Sequence, residues 1–166
     1  MRHILLAAFA TSLIAGILCT PANAAGEKAC TSFVASSDER DRIVEYIDLG
    51  ATGPSAGDRR VGRAAVFDSD GKEIGYKVWT ITIVEVEGDK PVAIVGQQQH
   101  ILTDGSLFSL ITAGYQGDYQ QEDKPTITDS EKPVIGGTGA YAGARGTATQ
   151  KFEGVAETTT FNLICE

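Results

Sequence analysis

Gln97-Gln98-Gln99-His100 is a polar insert, with the one histidine outside the first residues, in a strand otherwise made of Val, Ala and Ile. His100 is one of two histidines, and the other, His3, sits among the first residues. An imidazole that titrates near neutrality is the commonest general base. A metal site would need further ligands, and no cysteine or acid stands at ligand spacing from His100. His100 therefore reads as a general base or, more plainly, as an exposed or hydrogen-bonded strand histidine. By strand alternation Gln97 and Gln99 share one face, with Gln98 and His100 on the other. An inward Gln97/Gln99 face would offer neutral hydrogen-bonding groups to an oxygenated ligand, and an outward one would only be wetted. Alternation leaves both open. Hydrolytic chemistry finds no support, because there is no Gly-x-Ser-x-Gly elbow and no serine in a nucleophile's context.

The second distinctive stretch is Val134-Ile-Gly-Gly-Thr-Gly-Ala-Tyr-Ala-Gly-Ala-Arg-Gly-Thr-Ala-Thr149, with glycines at 136, 137, 139, 143 and 146. A phosphate-binding Gly-x-Gly must follow a strand and open a helix. Here residues 147–152 alternate and carry β-formers, so the nucleotide reading fails. The run reads instead as a kinked strand–turn–strand, the device that lets a sheet curl into a barrel.

The elements that would position these groups all have strand patterns. Residues 41–48, 61–68, 74–86, 92–101 and 106–113 read as strands. Two more flank the glycine run, and 156–165 is the last. Asp68-Ser-Asp-Gly71, Gly88-Asp-Lys-Pro91 and Asp104-Gly105 are the turns between them. Tyr76, Val78, Thr80, Thr82 and Val84 form one face of the longest strand. No stretch has helical periodicity. An antiparallel, all-β, eight-stranded barrel over residues 31–165 is the expected fold.

The glycine run resembles the Gly-Gly-Thr-Gly-x-(Phe/Tyr)-x-x-Ala-x-Gly signature of the allene oxide cyclase and dirigent protein barrels, which are calycin-type. Val61-Gly62-Arg63-Ala64 and Leu102-Thr103-Asp104-Gly105-Ser106-Leu107 stand in the order that family shows, so the resemblance spans residues 41–165. It implies a barrel whose mouth holds one small hydrophobic, oxygenated molecule, acting without a cofactor. A cyclase, an isomerase or a stereocontrolling protein would be such a barrel, with a non-catalytic ligand-binding or structural barrel as the alternative. Three residues match pocket positions. Asp48 stands where dirigent-like proteins place an aspartate, and Glu45 near an acid of the allene oxide cyclases. Arg145 matches the arginine after the glycine turn, where its fork of donors would suit an oxyanion. Tyr141 takes the aromatic slot, beside the pocket or in the core. Ala140 stands where many dirigents carry a second pocket aspartate, which argues against a paired-acid mechanism. Dimers or trimers are common in these families.

The start of the chain reads as an export leader. Arg2 and His3 precede an apolar stretch over 4–18, and Ala22-Asn23-Ala24 supplies the small-x-small pattern, so cleavage is expected after Ala24. The stretch is too short to span a bilayer. The 166-residue sequence then divides into a leader (1–24), an N-terminal segment with Cys30 (25–40) and a barrel domain (41–166). The leader removes one basic residue, leaving 13 Lys and Arg against 22 Asp and Glu, a net charge of −9. So acidic a domain does not seek nucleic acid or anionic lipid. Of three cysteines, Cys30 and Cys165 remain at opposite ends of the mature chain. In an oxidising compartment they read as a structural disulfide, worth about 4–5 kcal/mol on chain-entropy grounds. No CxxC spacing supports a redox or metal pair. Dirigent-type proteins also join their termini with a cystine.

Overall fold

A computed structural model describes residues 32–88, 90–114, 130–153 and 156–164. Among the described residues nine strands follow one another: β1 (Phe33–Asp38), β2 (Ile43–Ile47), β3 (Arg59–Phe67), β4 (Glu73–Glu87), β5 (Lys90–Leu102), β6 (Gly105–Gly114), β7 (Ser130–Gly139), β8 (Arg145–Glu153) and β9 (Ala156–Ile164). A single 3-10 turn, Glu39–Asp41, separates β1 from β2. All pairings are antiparallel, in the order β1-β9-β8-β7-β6-β5-β4-β3-β2. A further β1–β3 contact at Ser36 and Phe67 closes the ring. Eight strands form the closed barrel, and β2 extends the free part of the β3 edge that β1 does not cover.

The strands and turns lie where their residue types place them. Thr103-Asp104 joins β5 to β6 as a tight hairpin. Asp68 organises the β3–β4 turn, accepting from the backbone N–H of Asp70 (3.0 Å) and Lys72 (2.9 Å). The first strand lies within the expected 31–165 span but ahead of 41–48, the first stretch with a strand pattern. Residues 33–38, read above as part of an N-terminal segment, form β1 and pair along β9 from Phe33–Phe161 to Asp38–Ala156. Their serines and aspartate hide the β pattern, but the backbone donors of the β9 edge need a partner.

The glycine run is the predicted bend. Ile135 is the extra residue of a bulge opposite Phe108 and Ser109, and Gly137 lies against the β6 backbone. A Cβ on Gly137 would stand 2.4 Å from the Tyr141 carbonyl oxygen and 2.6 Å from that of Ser106. Only glycine permits that approach. The β2–β3 loop is tied by Asp58, which is fully buried. Its carboxylate accepts from Leu49 N (2.7 Å), Ser55 N (2.7 Å) and the Ser55 hydroxyl (3.0 Å). Burial pushes this carboxyl up, but those hydrogen bonds outweigh it and hold it below the usual range.

Two apolar clusters fill the ends of the lumen. One gathers Val66, Leu102, Leu107, Val134, Tyr141, Phe161 and Leu163 beside the glycine bend. The other is Ile81, Ile83, Ile94 and Ile111, with Tyr46, Trp79 and Val86 against it.

Candidate functional site

Between those clusters the lumen is polar. On β5 the inward residues run Ile94, Gln98, His100, Leu102, so Gln98 and His100 lie between one cluster and the other. On β6 Ser109 separates Leu107 from Ile111. Strand alternation brings Lys77 from β4, Lys132 from β7, Gln150 from β8, and Glu157 and Thr159 from β9 to the same level. All are buried, at 2–4% exposure. Each shares its strand face with core residues: Lys77 with Trp79 and Ile81, Lys132 with Val134, Glu157 with Phe161 and Leu163.

Burying charges is costly unless they are paired and hydrogen-bonded, and these are. Lys77 Nζ donates to Glu157 Oε2 in a salt bridge. Thr159 donates its hydroxyl to Glu157 Oε1 at 3.1 Å. Lys132 Nζ donates to Gln150 Oε1 and, at 2.8 Å, to Gln98 Oε1. Gln150 in turn hydrogen-bonds Glu157. Gln98 Nε2 meets His100 Nε2 at 3.3 Å. The result is one chain of hydrogen bonds across the lumen, Lys77–Glu157–Gln150–Lys132–Gln98–His100. The His100 ring stands edge-on to Phe161, centroids 4.9 Å apart. Its Nδ1 is buried without a hydrogen-bond partner.

The charges set one another. Burial pushes the Glu157 carboxyl up, but the Lys77 ammonium and its hydrogen bond outweigh that and hold it at about 2. Burial, followed by the Lys77 charge, drives the His100 imidazole down to about 3. At neutral pH the layer therefore holds an ionised Glu157 and a neutral imidazole. Its ammonium and amide donors are fixed in low-dielectric surroundings, where they act strongly on charge developing in a bound molecule. Nearer the isoleucine cluster, Arg60 is buried with its guanidinium 5.5 Å from the Tyr46 ring. No group of three or more His, Cys, Asp or Glu able to hold a metal occurs among the described residues.

The residues singled out from sequence do not converge in this lumen. Arg145 opens β8 with a parity opposite to the buried Ala148 and Gln150, so it faces outward and donates from Nη1 to the Ala144 carbonyl at 2.8 Å. Glu45 is exposed between the half-buried Val44 and Tyr46. It borders an outer depression of about 340 Å3 with Ile43, Val61, Arg63, Val78 and Thr80. Asp48 lies past the end of β2, exposed, with Gly53 N at 3.4 Å from its carboxylate. Gln97 and Gln99 take the outward face of β5 and line a crevice of about 120 Å3 with Val78, Thr80, Phe108 and Ile135. The alternation is as read, and the opposite pair, Gln98 and His100, points in. Tyr141 is core: it packs on Phe33 with centroids 5.8 Å apart and donates to Asp104 at 3.4 Å. Burial, then Asp104, raises its hydroxyl to about 12. The leader, Cys30 and Cys165 lie outside the described residues.

Sequence reasoning missed Lys77, Lys132, Gln150 and Glu157. For Gln150 and Glu157 the signal was parity, each in phase with apolar residues of its strand, whereas both faces of β4 and β7 carry apolar residues and gave no signal for Lys77 and Lys132.

Fold and lumen together define a small, closed, antiparallel β-barrel with a charged, hydrogen-bonded interior. No protein-family model and no curated protein sequence matches the chain. Solved structures do. The chain is similar to pyocyanin demethylase, with 20% identity and a TM-score of 0.64 over 81% of this chain and 100% of that one. It is also similar to a nonspecific heme-binding cyclase that catalyses a 4 + 2 cycloaddition during neoabyssomicin biosynthesis, with 15% identity and a TM-score of 0.56 over 82% of this chain and 66% of that one. The Diels-Alderase AbmU from Streptomyces koyangensis follows, with 13% identity and a TM-score of 0.55 over 82% and 68%. At such identities the likeness is one of fold.

Proposed function

We propose that this chain is an exported barrel that binds a hydrophobic, oxygen-bearing small molecule against its luminal polar layer and promotes its cyclisation or isomerisation. The carrying observation is the layer itself: Lys77, Lys132, Glu157, Gln98, Gln150 and His100 meet between the two apolar clusters of the lumen. Catalysis of this kind folds a flexible substrate into a reactive shape against apolar walls and stabilises charge developing on an oxygen with fixed donors. Both tasks suit side chains alone. Cyclases and a demethylase among barrels of similar fold support the reading, as does the resemblance of the glycine run to allene oxide cyclases. The leader pattern supports export, with a Cys30–Cys165 bridge in the mature protein.

A second reading has its own support. The polar groups largely satisfy one another, as in a structural core, and a barrel of that kind would bind a ligand without transforming it or bind none. Native mass spectrometry of the exported protein separates the two, combined with thermal shifts against a panel of hydrophobic ketones and phenols. The expected result is a retained or stabilising small molecule whose effect is lost in His100→Phe. No bound molecule and no shift across the panel would refute the proposal.

A further inference from the structure

We infer that Lys132, acting through Gln98, fixes the tautomer of His100, so that the lumen offers an imidazole Nδ1–H and takes a ligand whose oxygen accepts a hydrogen bond there. The ligand half rests on the luminal reading proposed above; the tautomer half does not. An ammonium has donors only, so the end of the Gln98 amide 2.8 Å from Lys132 Nζ must be its carbonyl oxygen. The other end of the same amide is then NH2, which has donors only, and it lies 3.3 Å from His100 Nε2. That nitrogen must be the acceptor, and a neutral imidazole with an unprotonated Nε2 carries its hydrogen on Nδ1. Lys132, Gln98 and His100 are 3%, 4% and 2% exposed, so water does not loosen the sequence of bonds.

Nδ1 is the buried atom of this chain of bonds with no hydrogen-bond partner. A buried donor left unmade is a cost that a bound acceptor recovers. A carbonyl or enolate oxygen accepts, whereas an ammonium or amide N–H would set donor against donor. Lys132 is in this sense a positioning residue: it sets the polarity of a group it does not touch. Burial first, and then the Lys77 charge, keep the ring neutral, which leaves Nε2 free to accept.

The test reads the ring nitrogens directly. In full-length protein labelled with 15N-histidine, His3 is assigned by its loss in His3→Gln, which leaves His100 alone in the spectrum. The ligand-free wild type is expected to carry its hydrogen on Nδ1 only. Lys132→Met should bring the Nε2–H form from undetected to a comparable share, and Lys132→Arg, also a pure donor, should restore the wild-type pattern. Gln98→Glu, whose carboxylate only accepts, should drive the ring to Nε2–H and keeps the test open if Lys132→Met does not fold. Nε2–H in the wild type, or no change in a folded Lys132→Met, overturns the tautomer assignment. The ligand half is read with 1-indanone and indane, which differ in the carbonyl. The Nδ1-bound proton should move to lower field with 1-indanone and stay with indane. An equal response to both overturns the acceptor assignment. No response to either, with Nδ1–H intact, overturns the luminal reading and leaves the tautomer standing.

Discussion

Acidification from about pH 7 to about pH 5 should cost the wild-type protein about 2 kcal/mol through His100 alone. Burial, and then the Lys77 charge, lower this imidazole from 6.5 to about 3; Lys132 acts in the same direction and Glu157 against it. Below 6.5 the unfolded chain takes up a proton that the folded state refuses, so stability falls as pH drops from 6.5 towards 3. At pH 5 the protonated form exceeds the neutral one by about thirtyfold in the unfolded chain, and RT times its logarithm gives the 2 kcal/mol. The figure barely depends on the folded value once that lies below about 4. Glu157 contributes little in this window. Its stabilisation is present above 4.5 and disappears only as pH falls from 4.5 to about 2. Urea unfolding of wild type and His100→Gln at both pH values isolates the term, because surface acids titrate alike in both. The acid-induced loss should be about 2 kcal/mol smaller in the variant. Equal losses would mean that His100 takes up its proton as readily in the fold as outside it, which would refute the buried neutral imidazole.

Three further outcomes follow from the same packing. Lys77→Met and Glu157→Leu should each cost about 3–5 kcal/mol, with the double variant losing well under the sum because neither charge is left alone; additive losses in urea titrations would refute the pair. Gly137→Ala should cost about 1–3 kcal/mol by driving a methyl group into the Tyr141 and Ser106 carbonyl oxygens, and an unchanged melting temperature would count against the bend as described. Arg145→Ala should stay within about 0.5 kcal/mol of wild type and keep luminal binding, since its guanidinium lies outside; lost binding would return Arg145 to the site.

The fold was legible because its strongest signals are local. Asp104-Gly105 and Asp68-Ser-Asp-Gly71 specify turns through backbone preference, and the glycines at 137 and 139 specify a bend that no side chain would permit. What sequence obscured was β1, whose Ser36, Ser37 and Asp38 carry no β pattern of their own. That strand exists because the β9 edge supplies hydrogen-bonding partners from Ala156 to Phe161, a reason 120 residues distant in sequence.

The site was illegible for a related reason. In Tyr76-Lys77-Val78-Trp79-Thr80-Ile81 both faces carry β-formers, and the face with the lysine looks the wetter of the two. It is the inner one, because Trp79 lies over Gly62: a Cβ there would stand 2.2 Å from the indole. Lys77, Lys132 and Glu157 are tolerated inside only because each meets its partner from another strand. A charge is read as exposed when considered alone, and as buried only once its counter-charge is known. Resemblance to pocket positions of other barrels led instead to Asp48, Glu45 and Arg145, which this barrel leaves outside. The opposing charges of Lys77 and Glu157, 80 positions apart, are therefore a property of the β4 and β9 faces taken together, and the chemistry of this lumen depends on that closure.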